Sequence, residues 1–180
     1  MLIFVVSQKY KNKLRYFIEL SYNGSAYHGW QNQPDAITVQ EVIEKALSTL
    51  LQRPISTMGA GRTDTGVHAK QMFAHFDYEN DFNSTDLVFK LNSFLPKDIV
   101  IHDIFNVKNE AHARFDAISR TYLYRVALKK NAFTFNNTYY VMQALDIEKM
   151  KEATEILFQY KDFQCFSKNN TDVKTYHCKI

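Results

Sequence analysis

Cysteine, proline and glycine are scarce in this 180-residue chain, with two, three and five copies. Cys165 and Cys178 have no companions at metal-ligand spacing, which argues against a disulfide framework or a zinc cluster and fits free thiols in a reducing compartment. No apolar run is long enough to span a membrane. The apolar start, Leu2 to Val6, is too short for a signal-peptide core, and its lysines follow it instead of preceding it, so the cytoplasm is the expected compartment. Charge of one sign is also lacking. At a net +3, a nucleic-acid partner would have to be held by a local basic patch and not by a generally cationic surface. Low-complexity runs are absent, and 23% charged against 46% hydrophobic residues describes a globular chain of one large or two small domains. Aromatics are plentiful: one Trp, 11 Tyr and 14 Phe, most of them needed for a core and some available to stack on bases.

Three of the few glycines fall in one stretch, Met58 to Lys70, where Gly59, Gly61 and Gly66 surround Arg62, Asp64 and His68. Backbone that turns sharply or approaches a ligand closely there carries a cation, a carboxylate and an imidazole within seven positions. Asp64, two residues from Arg62, is expected to stay ionised and so to serve as a nucleophile or general base. Arg62 suits a two-pronged contact to phosphate or carboxylate. The same residues also fit a plain hairpin, with Asp64 capping a turn and Arg62 solvated. The spacing matches neither a P-loop nor a dinucleotide fingerprint, so nucleotide cofactors are disfavoured. A metal pair of Asp64 or His75 with His68 lacks the three or four convergent donors that a metal needs, and no metal is expected.

Around this stretch the periodicities predict a β-α-β-β-α-β order. Leu14 to Tyr22 reads as a strand ending in the Asn23-Gly24 turn. Thr38 and Glu41 form a capping box, followed by a helix with Val39, Val42, Ile43, Ala46, Leu47, Leu50 and Leu51 on one face. Pro54 to Met58 and Gln71 to Tyr78 read as strands holding the glycine-rich loop from both ends. A second helix starts near Ser84, with Leu87, Val88, Leu91 and Phe94 inward, and Pro96 stops it; Ile99 to Val107 is the next strand. This is the split β-α-β unit found in RRM domains. From Ile118 the pattern begins again, with a strand over Ile118 to Lys129, a helix over Asp146 to Tyr160 (Ile147, Met150, Ala153 and Leu157 inward), and strands at Asp162 to Ser167 and Thr175 to Ile180 flanking a turn at Lys168 to Asp172. The fold class expected is α+β with two RRM-like halves, residues 1–110 carrying loop 58–70 and residues 111–180 forming an incomplete second half, as in a fragment or early-terminated version of a longer protein. On the Ile118 strand, Arg120, Tyr122 and Tyr124 share a face suited to single-stranded RNA, although tyrosines half-buried in a sheet core fit the same pattern.

The stretch G-R-T-D-x-G-V-H-A resembles the active-site motif of the TruA-type tRNA pseudouridine synthases, and three further segments match in the family's order: Y-x-G-x-x-Y-H-G-W-Q at Tyr22 to Gln31, L-P-x-D-I at Leu95 to Ile99, and H-A-R-F-x-A-x-x-R-x-Y-x-Y at His112 to Tyr124. The resemblance implies a pseudouridine synthase fold and a cofactor-free isomerase that converts uridine to pseudouridine in the anticodon stem-loop of tRNA, acting as a homodimer. It implies Asp64 as the catalytic carboxylate, shielded from water in a closed pocket, and Tyr122 as the ring that packs against the target uracil. Arg62, Arg114 and His112 are implied as RNA contacts, with structural salt bridging an alternative for Arg114 and His112. His28 and Trp30 brace their loop against the core as readily as they touch substrate. Thr65 departs from the alanine more usual in the family, and a basic partner of Asp64 belongs to a continuation found in family members. Two other functions fit the residues: a non-catalytic RNA-binding module of the same fold, and a metal-dependent hydrolase using Asp64 and His68.

Overall fold

The computed structural model describes residues 13–167 and 175–180, so Leu2 to Val6 and the expected turn at Lys168 to Asp172 lie outside the described residues. The chain divides into two units, Met1–Tyr122 and Leu123–Ile180.

The first unit is built on β1 (Leu14–Tyr22), the central strand of a four-stranded antiparallel sheet. Its alternating pattern places Tyr16, Ile18, Leu20 and Tyr22 on one buried face, none more than 4% exposed. β3 (Ala69–Tyr78) and β4 (Ile99–Val107) flank it, and β2 (Met58–Gly59) lies at the edge beside β3, giving the order β2-β3-β1-β4. A register shift between Glu19 and Leu20 gives β4 one extra residue. That bulge explains why its buried positions run Ile99, Ile101 and then Ile104 instead of keeping strict alternation.

Helices α1 (Val39–Leu51) and α2 (Ser84–Phe94) complete the β-α-β-β-α-β order and supply the rest of the core. The Thr38 hydroxyl accepts from the Glu41 amide, as the capping box predicts. Val39, Ile43, Ala46 and Leu47 are fully buried, whereas Val42, Leu50 and Leu51 lie at the rim. In α2 one inward residue differs from expectation: Phe94 is 52% exposed and Leu95 is buried in its place. Leu95 continues the Leu87, Leu91 row at four-residue spacing, and Pro96 holds it extended just beyond the helix.

The opposite face of the sheet carries Arg15, Phe17 and His75. Arg15 and Asp77 form a two-pronged ion pair, Nε to Oδ1 at 2.7 Å and Nη2 to Oδ2 at 2.9 Å, which holds the Asp77 carboxyl below its ordinary range. Arg15 Nη1 also donates to the Ala111 carbonyl at 3.0 Å, and the Ala113 amide donates to His75 Nδ1 at 3.1 Å. The segment after β4 is thus fastened to this face.

In the second unit the expected strand over Ile118 to Lys129 is reduced to β5 (Val126–Ala127), paired in parallel with β6 (Tyr139–Tyr140). Extended residues become a strand only where a partner completes the ladder, and two residues have one. The helix is α3 (Ile147–Leu157), capped by Asp146 accepting from the Lys149 amide. Its expected inward residues are not buried: Ile147 and Met150 are 48% and 51% exposed, and no described residue from Leu123 onward is buried. The helix has an apolar stripe, but the described residues of this unit supply no layer to cover it. The strands expected at 162–167 and 175–180 reduce to one bridge, Asp162 with His177, and residues Gln164–Phe166 form a short 3₁₀ turn. Among the described residues no helix is long and apolar enough to cross a membrane.

His75 sets a pH dependence. Burial, reinforced by Arg15 and His112 and opposed weakly by Asp77, pushes its pKa down to about 4 from 6.5. Between those values the unfolded chain binds a proton that the folded chain refuses. The stability tied to neutral His75 is therefore complete above pH 6.5 and is lost as pH falls toward 4, by on the order of 2–3 kcal/mol. Urea unfolding of the protein at pH 7, 6 and 5 is expected to show this decline, and His75→Gln to flatten it; equal slopes for the two proteins would assign the decline to other groups.

Candidate functional site

The glycine-rich motif forms the hairpin loop between β2 and β3, so both ends are set by the sheet. Because β2 is only two residues long, most of the loop's shape comes from its neighbours. The Trp30 amide donates to the Thr63 carbonyl at 3.2 Å, the Gly66 amide donates to the Tyr27 carbonyl at 3.2 Å, and the Gly24 amide donates to His68 Nδ1 at 3.0 Å. Tyr22 and Thr63 share a hydroxyl hydrogen bond at 2.9 Å, and burial raises the Tyr22 phenol above its usual range. The Val67 amide closes a turn onto the Asp64 carbonyl at 3.2 Å. Such close approach requires glycine at Gly29, which has φ of 85° and where a Cβ would collide with the Thr63 carbonyl oxygen.

The other two matched segments join the same network. Tyr27 donates its hydroxyl to Asp98 Oδ1 at 2.7 Å, and the Asn23 amide donates to the Asp98 carbonyl at 2.8 Å, which ties Leu95 to Ile99 to the Tyr22 to Gln31 segment. Burial and the Asp98 carboxylate raise the Tyr27 phenol well above its usual range. Arg120 Nη2 donates to the Ala60 carbonyl at 2.6 Å and to the Arg114 carbonyl at 3.0 Å, joining the His112 to Tyr124 segment to the loop. All four segments singled out in the sequence are thus linked through hydrogen bonds.

The expected site residues fall into two groups. Asp64 and Arg62 are exposed on the loop, so the closed pocket expected around Asp64 is not seen among the described residues. Two surface concavities, one including Lys45, Ser48 and Arg53, the other Lys129, Lys130, Phe135 and Tyr140, are lined by other residues. The second group is His112, Arg114 and Tyr122. The His112 Nδ1 accepts from the Arg114 and Phe115 amides at 3.2 and 3.4 Å, its own amide donates to Asp116, and its ring meets His75 edge-on at 4.7 Å. Arg114 lies over the Phe115 ring, 5.9 Å from its centre, and is in no ion pair among the described residues. Tyr122 is 80% exposed, a ring with its faces available to a ligand. It stands outside any strand, because the expected ladder begins only at Val126.

Trp30 is buried at 2% exposure with its indole beside Gly59, which makes it a brace for the loop; His28 is exposed. Tyr22 and Thr63 stand inside the matched motifs with no role expected of them, although Tyr22 sits at an inward position of the β1 alternation and Thr63 adjoins Asp64. Arg120 belongs to the face expected to suit single-stranded RNA, and its bonds to two carbonyls have no signal in the sequence. Among the described residues no three His, Cys, Asp or Glu side chains converge, and the Nδ1 atoms of His68 and His75 each accept a backbone amide.

The class that the fold and site define is a split β-α-β sheet with a carboxylate carried on a braced hairpin loop between two of its strands. A sequence profile of the tRNA pseudouridine synthase family matches residues 20–116, and the chain belongs to that family. It is 54% identical over 169 residues to a tRNA pseudouridine synthase A of Parabacteroides distasonis, and the match covers 92% of this chain and 66% of the relative. It is 52% identical over 166 residues to a protein of the same name in Bacteroides thetaiotaomicron (92% and 62%), and 36% identical over 160 residues to a tRNA pseudouridine synthase A 2 of Clostridium perfringens (88% and 66%). The chain spans slightly less than two thirds of the length of these relatives.

The two positive-φ glycines provide a test of the braced loop. Gly66 has φ of 78° with nothing within 4 Å of an added Cβ, so Gly66→Ala is expected to cost only the left-handed strain, about 1–2 kcal/mol. Gly29→Ala bears the same strain and must also force the Thr63 carbonyl away, so it should lose distinctly more stability in denaturant unfolding. Equal losses would mean that the contact between the two loops is not tight.

Proposed function

We propose that the protein isomerises uridine to pseudouridine in the anticodon stem-loop of tRNA, with Asp64 as the catalytic carboxylate and without a cofactor. The observation that carries this reading is the hydrogen-bonded linkage of the four family-like segments, with Asp64 directly after the doubly anchored Thr63. The reading extends to two RRM-like halves, 1–110 and 111–180, and to a homodimer in the cytoplasm.

The reaction breaks the bond from ribose C1′ to the ring nitrogen, turns the uracil and forms a bond from C1′ to carbon five. Carbon five gives up a proton and the freed nitrogen gains one, so neither an oxidant nor a group donor is needed. The target base must leave its stack at roughly a few kcal/mol, and an aromatic platform returns about 1–3 kcal/mol per base. Tyr122, a large exposed ring, is assigned that role. Asp64 acts on the sugar or the base while the extruded nucleotide itself covers the exposed loop. Arg62, on the same loop, contacts backbone phosphate and helps fill the space left in the helix. Arg114 and His112 line the RNA path, with His112 also shaping the turn that presents Arg114.

Release of tritium from tRNA uracil labelled at carbon five measures the isomerisation. Asp64→Asn is expected to abolish release while tRNA affinity stays within a fewfold, because the contacts survive and the reactive charge does not. Normal release by this variant would refute the assignment, and tRNA binding without release by the wild type would identify a non-catalytic module. Tyr122→Ala is expected to lower both tRNA affinity and rate; unchanged kinetics would remove the ring from the site.

A further inference from the structure

We propose that Arg120 is a positioning residue that holds the start of the carboxylate loop against the His112 to Tyr124 segment, an inference that rests on the proposed function. The Nη2 nitrogen has two hydrogens, and the structure places each on a carbonyl, Ala60 at 2.6 Å and Arg114 at 3.0 Å. The side chain reaches them by lying along Gly61, where an added Cβ would stand 3.4 Å from Nε and 4.0 Å from Cδ.

Ala60 is held on both sides, since its amide also donates to the Phe73 carbonyl of β3 at 2.7 Å. Thr63 is held by Tyr22 and Trp30. Only Gly61 and Arg62 lie between these two anchors, and Asp64 follows directly. A glycine next to an anchor contributes no stiffness of its own, so the carbonyl bond from Arg120 fixes the direction in which the chain sets out toward Asp64. The same nitrogen fixes the carbonyl of Arg114, which makes the loop and the RNA-facing segment move together. An arginine does this because it cannot lose its proton and its planar fork presents paired N–H groups; a lysine retains the charge without the fork.

Arg120→Met and Arg120→Lys separate this role from a phosphate contact. Positioning predicts that kcat falls about ten- to a hundredfold in Arg120→Met, with tRNA Kd within about threefold and the salt dependence of binding unchanged. Arg120→Lys is expected to keep wild-type affinity and to recover only part of kcat. Amide exchange at Ala60 and Trp30, whose amides donate to the Phe73 and Thr63 carbonyls, is expected to quicken in both variants while the α1 amides keep their protection, a readout independent of turnover. An unchanged kcat, full recovery by lysine, or a weaker Kd with the salt slope reduced by about one would overturn the proposal, the last by making Arg120 a phosphate contact. A wild type that releases no tritium would count against the proposed function, and the exchange rates would still decide the clamp.

Discussion

The meeting of two loops at the Thr63 carbonyl is the constraint on which the first unit's functional end depends. That oxygen accepts the Trp30 amide, and the chain at Gly29 passes so close that no side chain fits between them. A hairpin loop of this length has too many conformations to hold a carboxylate in place by itself, and loop entropy is the chief obstacle to a preformed site. Hydrogen bonds from Tyr22, Gly24, Trp30 and Arg120, and to Tyr27, remove much of that freedom. All but the one from Arg120 involve buried residues of the Tyr22 to Trp30 stretch, which the hydrophobic core locates. The core is thus connected to Asp64 by a short chain of contacts: Tyr22 is the last inward residue of β1, and its hydroxyl is on Thr63.

The two faces of the sheet divide the work. One is apolar and buried under α1 and α2. The other carries an ion pair and a neutral histidine that fasten the segment after β4. Arg15 and Asp77 are partly exposed, so their contribution lies more in direction than in free energy: a two-pronged pair leaves one nitrogen free to hold the Ala111 carbonyl. His75 holds the next stretch through Ala113. With Arg120 farther along, the segment from Ala111 to Arg120 is tied down at intervals although it contains no strand or helix.

Much of the first unit was legible because its signals are local. The strand Leu14–Tyr22, the cap at Thr38 and the stop before Pro96 each follow from a handful of neighbouring residues. The exchange of Phe94 for Leu95 was not legible, because it depends on how the helix end meets the sheet. The second unit shows the limit more strongly. Alternation from Ile118 to Lys129 expresses what a strand would look like if paired, and pairing is a property of distant residues that the alternation does not contain. For the site, motif resemblance picked out segments that hydrogen bonds join in the structure, while the atoms that join them, above all the backbone carbonyls of Ala60, Thr63 and Arg114, have no letter in the sequence.

The shortness of β2 has a bearing on portability. With only Met58 and Gly59 paired to the sheet edge, the stretch from Met58 to Lys70 brings almost none of its own scaffolding. Transplanted into another β-hairpin it would carry its carboxylate and its glycines but lose its geometry, since what shapes it is a neighbouring ribbon, Tyr22 to Trp30, and one remote guanidinium. The smallest portable version of this site is therefore a patchwork of three separate pieces of chain, and a search for it in other proteins has to look for that arrangement in space.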